Sequence, residues 1–279
     1  MSWPVKHSLS PVMHNAAFTA LDLDWVYLPL PVRPGEIEPA LQGLAALNFI
    51  GCNVGIPHKQ SVLPYMDEVS DSARAIGAIN TILIQNGELI GSNTDLDGFL
   101  NNLEAEGVDA NRMNVLLLGA GGAARAVAYA LARSGVSSIV ILNDILEQAE
   151  ALAQYLGDLF PQTSFECGLV IEDRLAKIAP ELHMVVNATP VGMDPDIHGC
   201  LWPESLPISA NMIFYDLIYN PLETALLKRA RQSGAKVIDG LGMLVHQGAL
   251  SFERWTGTTA PIKVMRNTCL QALEHRSAP

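Results

Sequence analysis

Positive charge is scarce in this 279-residue sequence: 17 Lys and Arg stand against 29 Asp and Glu, for a formal net charge of −12. That deficit argues against nonspecific nucleic-acid binding and against electrostatic attachment to anionic membranes. Charged residues of either sign reach only 16%, against 49% hydrophobic residues, which excludes disorder as the main state. The four cysteines, Cys52, Cys167, Cys200 and Cys269, form no CxxC pair, and neither zinc-ligand spacing nor an HExxH helix occurs. They read as free thiols in a reducing compartment, and no metal site is expected. Apolar runs such as Val115–Leu118 are too short to span a bilayer, and no basic-plus-apolar leader opens the chain. The expectation is a cytoplasmic protein, monomer or homodimer, that binds a small molecule and neither membrane nor nucleic acid.

Aromatics are also sparse, at 6%, while Ala, Leu, Val, Ile and Gly abound, as suits helices packed on a parallel sheet. The first ninety or so residues alternate helical stretches (14–23, 36–47) with strand candidates (25–30, 49–54, 78–85, 88–91). Asn86-Gly87 joins the last two as a hairpin signal, because both residues tolerate positive φ. After a connecting helix over 97–106 the pattern becomes a regular βαβ: strand 114–118, helix 122–134, strand 138–143. The next helix, 146–156, carries Leu146, Ala149, Leu152, Ala153 and Leu156 on one face. Further strands are expected at 184–188, 212–217 and 236–239, and closing helices at 242–257 and 264–274. The organisation implied is α/β: a doubly wound domain, residues 96–240, inserted in a smaller α/β domain made of residues 1–95 and 241–279.

Six places carry chemistry. Gly119-Ala120-Gly121-Gly122-Ala123-Ala124 matches GxGxxG/A directly after a strand and at a helix start, where free N–H groups and the helix dipole favour a pyrophosphate. The following strand ends Leu142-Asn143-Asp144. An acidic residue there accepts hydrogen bonds from the adenosine ribose and repels a 2′-phosphate, and no Arg or Lys follows before Gln154. This favours NAD, with NADP possible; Asp144 is equally well suited to cap the next helix. Ser8 and Ser10 precede a helix, either as a carboxylate pocket or with Ser10 as N-cap ahead of Pro11. Lys59 ends the turn Asn53-Val54-Gly55-Ile56-Pro57-His58-Lys59 after an apolar strand, where a partly buried lysine can serve as general acid/base. Asp95, after Asn93-Thr94, either caps a helix or orients Lys59 and a substrate hydroxyl. Asn187-Ala188-Thr189-Pro190-Val191-Gly192-Met193, after another strand, suits either dinucleotide contact or an ordinary connection. No histidine is assigned a catalytic role.

Taken in order, these segments resemble the shikimate dehydrogenase family, with its quinate/shikimate relatives, over nearly the whole chain. The matching text is His7-Ser8-Leu9-Ser10-Pro11 with Met13-His14-Asn15, Asn53-Val54 with Pro57 and Lys59, Gly77-Ala78 with Asn80-Thr81, and Asn93-Thr94-Asp95 with Gly98. It continues through Gly119 to Ala123, Asn187-Ala188-Thr189, Tyr215-Asp216 with Tyr219 and Pro221, and Gly240-Leu241-Gly242-Met243-Leu244-Val245 with Gln247.

The resemblance implies reversible hydride transfer between a nicotinamide cofactor and shikimate, as in aromatic amino-acid biosynthesis. A catabolic NAD-dependent quinate/shikimate dehydrogenase and a non-catalytic nucleotide-binding homologue are the alternatives. It implies Ser8 and Ser10 on the substrate carboxylate, Asn80, Asp95 and Gln247 on ring hydroxyls with Tyr219 nearby, and Lys59 as proton shuttle positioned by Asp95. Thr189, Leu217, Gly240 and Met243 would flank the cofactor. Hydride and proton leave the same carbinol, so one face needs the cofactor and the other a base. Three departures stand out. The family usually has Thr where this chain has Gly55, which removes one substrate hydrogen bond and admits a bulkier cyclic acid. NADP-using members usually carry Asn-Arg-Thr at Asn143-Asp144-Ile145. Members also normally begin with a strand ahead of the segment matching Trp3-Pro4-Val5, and that strand has no counterpart in this sequence.

Overall fold

A computed structural model describes residues 1–6 and 8–277; His7, part of the first motif, lies outside the described residues. The chain divides into two compact units, Met1–Phe99 with Val245–Pro279, and Leu100–Leu244.

The first unit opens with α1 (Ser10–Ala20) and α2 (Ile37–Ala46), followed by β1 (Gly51–Asn53), β2 (Glu68–Val69), α3 (Asp71–Ile76), β3 (Thr81–Gln85), β4 (Glu88–Ser92) and α4 (Asp95–Ala105). The four strands lie in the order β1-β3-β4-β2, with β1–β3 and β3–β4 antiparallel and β2–β4 parallel. The β3–β4 hairpin turns on Asn86 and Gly87, both at positive φ as their dipeptide predicts. Side chains alternate across β3. Ile82 and Ile84 join Ile37, Leu41 and Leu44 of α2 in one apolar cluster, while Thr81 points the other way.

Residues 25–30, expected as a strand, join no ladder. Their neighbourhood makes a single bridge, Ser2 to Pro31, and the Tyr27 backbone is held instead by the Asn15 side chain, whose Oδ1 accepts from Tyr27 N and whose Nδ2 donates to Tyr27 O. A β-propensity run becomes a strand only where a neighbour offers a row of backbone partners.

The second unit continues β5 (Asn114–Leu118), α5 (Gly122–Arg133), β6 (Ser138–Asn143), α6 (Leu146–Leu159), β7 (Ser164–Leu169), α7 (Glu172–Ile178), β8 (Met184–Asn187), β9 (Ile213–Asp216), α8 (Ala225–Gln232) and β10 (Lys236–Ile238). Its six strands are all parallel, in the order β10-β9-β8-β5-β6-β7, the doubly wound arrangement whose strand order reverses between β5 and β8. Residues 115–118 and 184–187 are buried without interruption, the reading of strands covered on both faces. β7, unforeseen in the sequence, lies at the sheet edge and alternates exposed and half-buried residues over its first four positions, before a buried Gly168. The chain closes with α9 (Gly240–Thr256) and α10 (Ile262–Ser277), the latter packed beside α1 in the first unit. No described helix is long and apolar enough to cross a membrane, and the described residues hold no cluster of metal-ligating side chains. All four cysteines are free.

Candidate active site

In the first unit Lys59 and Asp95 meet. Lys59 Nζ donates to Asp95 Oδ2 at 2.6 Å, with the two side chains 16% and 7% exposed. The backbone brings the lysine there in two steps. Val54 N donates to Asn80 O at 2.7 Å, and Ile79 N donates to Lys59 O at 2.7 Å, so the turn after β1 is stitched at both ends to the residues leading into β3. Asp95 is held from the other side: Asn80 Nδ2 donates to Asp95 Oδ1 at 2.9 Å.

Asp95 does not cap α4. Asn93 does that work, its Oδ1 accepting from Asp95 N at 3.0 Å and Leu96 N at 3.4 Å, which leaves the Asp95 carboxylate for side-chain partners. Ser10 is likewise no N-cap. It is the first residue of α1, and Ser8 Oγ accepts from its N–H at 3.2 Å, so both hydroxyls stand at the start of that helix.

Asn80 is the hub of a buried polar cluster. Its Nδ2 also reaches Thr94 Oγ1 at 2.9 Å and Gln247 Oε1 at 3.3 Å, and its Oδ1 accepts from Thr94 N at 2.7 Å and Thr81 Oγ1 at 2.9 Å. Ser251 of α9 completes the cluster, in contact with Thr81 (2.8 Å), Thr94 (3.1 Å) and Asn53 Nδ2 (3.0 Å) while donating to Gln247 O (3.0 Å). With every buried member satisfied, such a network fixes side-chain orientation, here that of Asn80 and therefore of Asp95. Sequence reading brought Asn80, Asp95 and Gln247 forward but missed Ser251. It stands 170 residues from Thr81, in a helical stretch with no motif of its own.

In the second unit the glycine loop leaves β5 at the switch point. Gly119 adopts φ +106°, and a Cβ there would stand 3.0 Å from Ala188 O, so the turns after β5 and β8 approach too closely for any other residue. A Cβ on Gly121 would meet nothing within 4 Å, so the loop is open on that side. No side chain caps α5. Ala120 is buried, and Gly122 and Ala123 open the helix, whose first amides are left for an anion. These features fit a dinucleotide pyrophosphate.

Asp144, just past β6, is exposed and does not cap α6, whose N-cap is Ile145 without a side-chain bond. Asn143 is buried and spends its Nδ2 on Ile145 O at 3.0 Å. Beyond β8, Thr189 donates through Oγ1 to Asn187 Oδ1 at 2.7 Å, and Asn187 Nδ2 donates to Asp216 Oδ1 at 3.0 Å. Asp216 also accepts from Thr224 Oγ1 at 2.7 Å and Ile218 N at 3.1 Å, yet burial still pushes its carboxyl up to about 6. Leu217 N donates to Asn187 O at 2.9 Å. A Cβ on Gly240 would stand 2.1 Å from Leu217 O, so these two expected cofactor neighbours touch. Met243 is buried one turn into α9, and Tyr219 is half-buried three residues past β9.

Comparison with known proteins agrees along the whole chain. Residues 1–82 match a family model described as the shikimate dehydrogenase substrate binding domain, residues 102–189 one described as shikimate / quinate 5-dehydrogenase, and residues 240–270 the shikimate 5′-dehydrogenase C-terminal domain. The shikimate dehydrogenase (NADP(+)) of Carboxydothermus hydrogenoformans is 45% identical over 266 residues, 95% of this chain and 93% of its own. Among solved structures, shikimate 5-dehydrogenase from Thermus thermophilus in complex with NADP(H) and shikimate is 37% identical with a TM-score of 0.86, covering 98% of this chain and 97% of that one. Quinate dehydrogenase from Corynebacterium glutamicum in complex with NAD is 32% identical with a TM-score of 0.88, covering 97% and 96%. The paired lysine and aspartate of one unit, the glycine loop of the other and this end-to-end similarity lead to one conclusion: the chain belongs to the shikimate dehydrogenase family.

Proposed function

We propose that the protein is an oxidoreductase that interconverts shikimate and 3-dehydroshikimate with a nicotinamide dinucleotide. The single observation that carries the reading is the 2.6 Å Lys59–Asp95 pair, because oxidation of a secondary alcohol needs a proton acceptor at the carbinol oxygen. Lys59 in its amine form takes the hydroxyl proton in the oxidative direction, becoming the ammonium, and the ammonium returns it in the reductive one. Asp95, fixed by Asn80, holds the ammonium in place and accepts a hydrogen bond from a ring hydroxyl. Asn80 and Gln247 orient ring hydroxyls, and the Ser8 and Ser10 hydroxyls receive the carboxylate.

When bound, the nicotinamide supplies the hydride acceptor. The loop Gly119–Ala123 would hold its pyrophosphate, Asn143 and Asp144 the adenosine ribose, and Thr189, Leu217, Gly240 and Met243 the nicotinamide half. On this reading residues 1–95 and 241–279 form the substrate domain and 96–240 the cofactor domain. NAD is the preferred cofactor: Asp144 is exposed beyond β6, where a carboxylate would repel a 2′-phosphate, and no cation lies between Asn143 and Gln154. That preference sets the chain apart from relatives whose names carry NADP(+). Quinate is the second substrate to consider, because Gly55 lacks the side chain usual in the family at this point of the Lys59 turn.

The test is turnover of shikimate and quinate with NAD and NADP, followed by nicotinamide absorbance. Lys59→Met should lower kcat by about 10²–10⁴-fold while leaving NADH binding intact. Absence of turnover with either acid and either cofactor would overturn the reading.

A further inference from the structure

The Lys59 turn begins on Gly55, whose backbone does not itself call for glycine, since it is absent from the glycines at positive φ. What calls for glycine is a neighbour. A Cβ on Gly55 would stand 3.0 Å from Ser2 Cβ and 3.6 Å from Ser2 Oγ, so the Ser2 side chain occupies the space that a side chain at 55 would need.

Ser2 cannot easily retreat. Its N–H donates to Leu30 O at 3.2 Å and its carbonyl accepts from Val32 N at 3.2 Å. The residues on either side are tied to the same turn: Met1 O accepts from Gly55 N at 2.8 Å, and Trp3 N donates to Ile56 O at 3.0 Å. The residue is half-buried, and its hydroxyl has no hydrogen-bond partner among the described residues. A rigidly framed, unspent hydroxyl therefore stands beside the turn that carries Lys59, in the place a residue-55 side chain would take.

We propose that Ser2 is a specificity-determining substrate residue: its hydroxyl, admitted by Gly55, hydrogen-bonds a hydroxyl of the cyclic acid. A serine hydroxyl both donates and accepts, which matches an alcohol better than a carboxylate. The inference rests on the shikimate/quinate reading above, and the two fail differently. If the unaltered protein turns over neither acid, that reading falls; if it does turn over and Ser2 is indifferent, only this inference falls.

The experiment is a swap at the two positions, with kcat and KM for shikimate and quinate, substrate binding by calorimetry, and melting temperature for each variant. Ser2→Ala keeps the Cβ and removes only the hydroxyl. It should raise KM and the dissociation constant about tenfold, the value of one neutral hydrogen bond, with kcat within about twofold. Gly55→Thr should bind substrate poorly because its Cβ meets Ser2. Ser2→Gly combined with Gly55→Thr should recover affinity to within about threefold of the starting protein, since the hydroxyl is then supplied from the other side. Unchanged substrate affinity in Ser2→Ala overturns the proposal even if Gly55→Thr fails to fold. So does a folded double variant that binds no better than folded Gly55→Thr.

Discussion

His14 offers a stability prediction whose size follows from its surroundings. The side chain is fully buried on α1, stacked on Tyr27 at 4.6 Å between ring centroids and 6° between planes, with Phe18, Phe252 and Trp255 around it. Among the described residues neither ring nitrogen has a hydrogen-bond partner, and burial alone pushes its pKa down to about 3 from the usual 6.5. The native state therefore keeps His14 neutral where the unfolded chain takes up a proton. Its contribution is complete above pH 6.5 and is lost progressively as pH falls toward 3. At pH 5 the unfolded side chain is almost fully protonated and the folded one is not, so this residue alone costs about 2 kcal/mol relative to pH 8. His14→Phe removes the titration and keeps a ring in the stack. Any repacking penalty is the same at both pH values and cancels in the comparison. Three of the four tryptophans, Trp3, Trp25 and Trp255, lie in the same unit, so urea unfolding followed by fluorescence reads it. The original protein should lose about 2 kcal/mol more than His14→Phe between pH 8 and pH 5. Equal losses, within about 0.5 kcal/mol, would refute the argument from an unpartnered neutral histidine.

Asp216 should act in the opposite sense. Its carboxyl, raised to about 6 by burial, is protonated in the folded state before it is in the unfolded one, so its penalty is full above pH 6 and relieved as pH falls toward 3.8. Between pH 7 and pH 4.5 the original protein should gain about 2 kcal/mol relative to Asp216→Asn, measured by denaturant unfolding with hydrogen exchange in β8 and β9 as the local probe. Asp144→Arg should shift the NADP/NAD ratio of kcat/KM toward NADP by at least about tenfold, because a guanidinium pairs with the 2′-phosphate that the carboxylate repels. An unchanged ratio would remove Asp144 from the account of cofactor choice.

The second unit was the more legible of the two. Its strands β5 and β6 fall on the expected residues, because a parallel sheet buried on both faces writes itself as uninterrupted apolar runs between glycine and polar turns. The edge strand β7 escaped notice because one exposed side and a Cys-Gly pair dilute that signal. The stretch 25–30 failed in the other direction: Val26 and Leu28 have strand character, but strand formation needs a partner row and not propensity alone. Of the two readings open at Ser10, Asp95 and Asp144, the capping one fails at all three for one reason. Ser10, Asp95 and Asp144 each have the right chemistry for an N-cap, but which oxygen turns back on the helix depends on backbone angles and on competing partners.

By itself the sequence determined the class of machine. The periodic apolar runs specify a doubly wound sheet, and the glycine loop specifies a tight turn at a helix start. These are local properties, set by each segment's own covalent geometry and charge. What only the tertiary structure decided is which groups meet: Lys59 with Asp95, Asn80 with Gln247, Thr81 with Ser251, and Ser2 with Gly55. Those pairings join residues between 36 and 170 positions apart, and their distances are set by the packing of whole strands and helices, which no local stretch of sequence encodes.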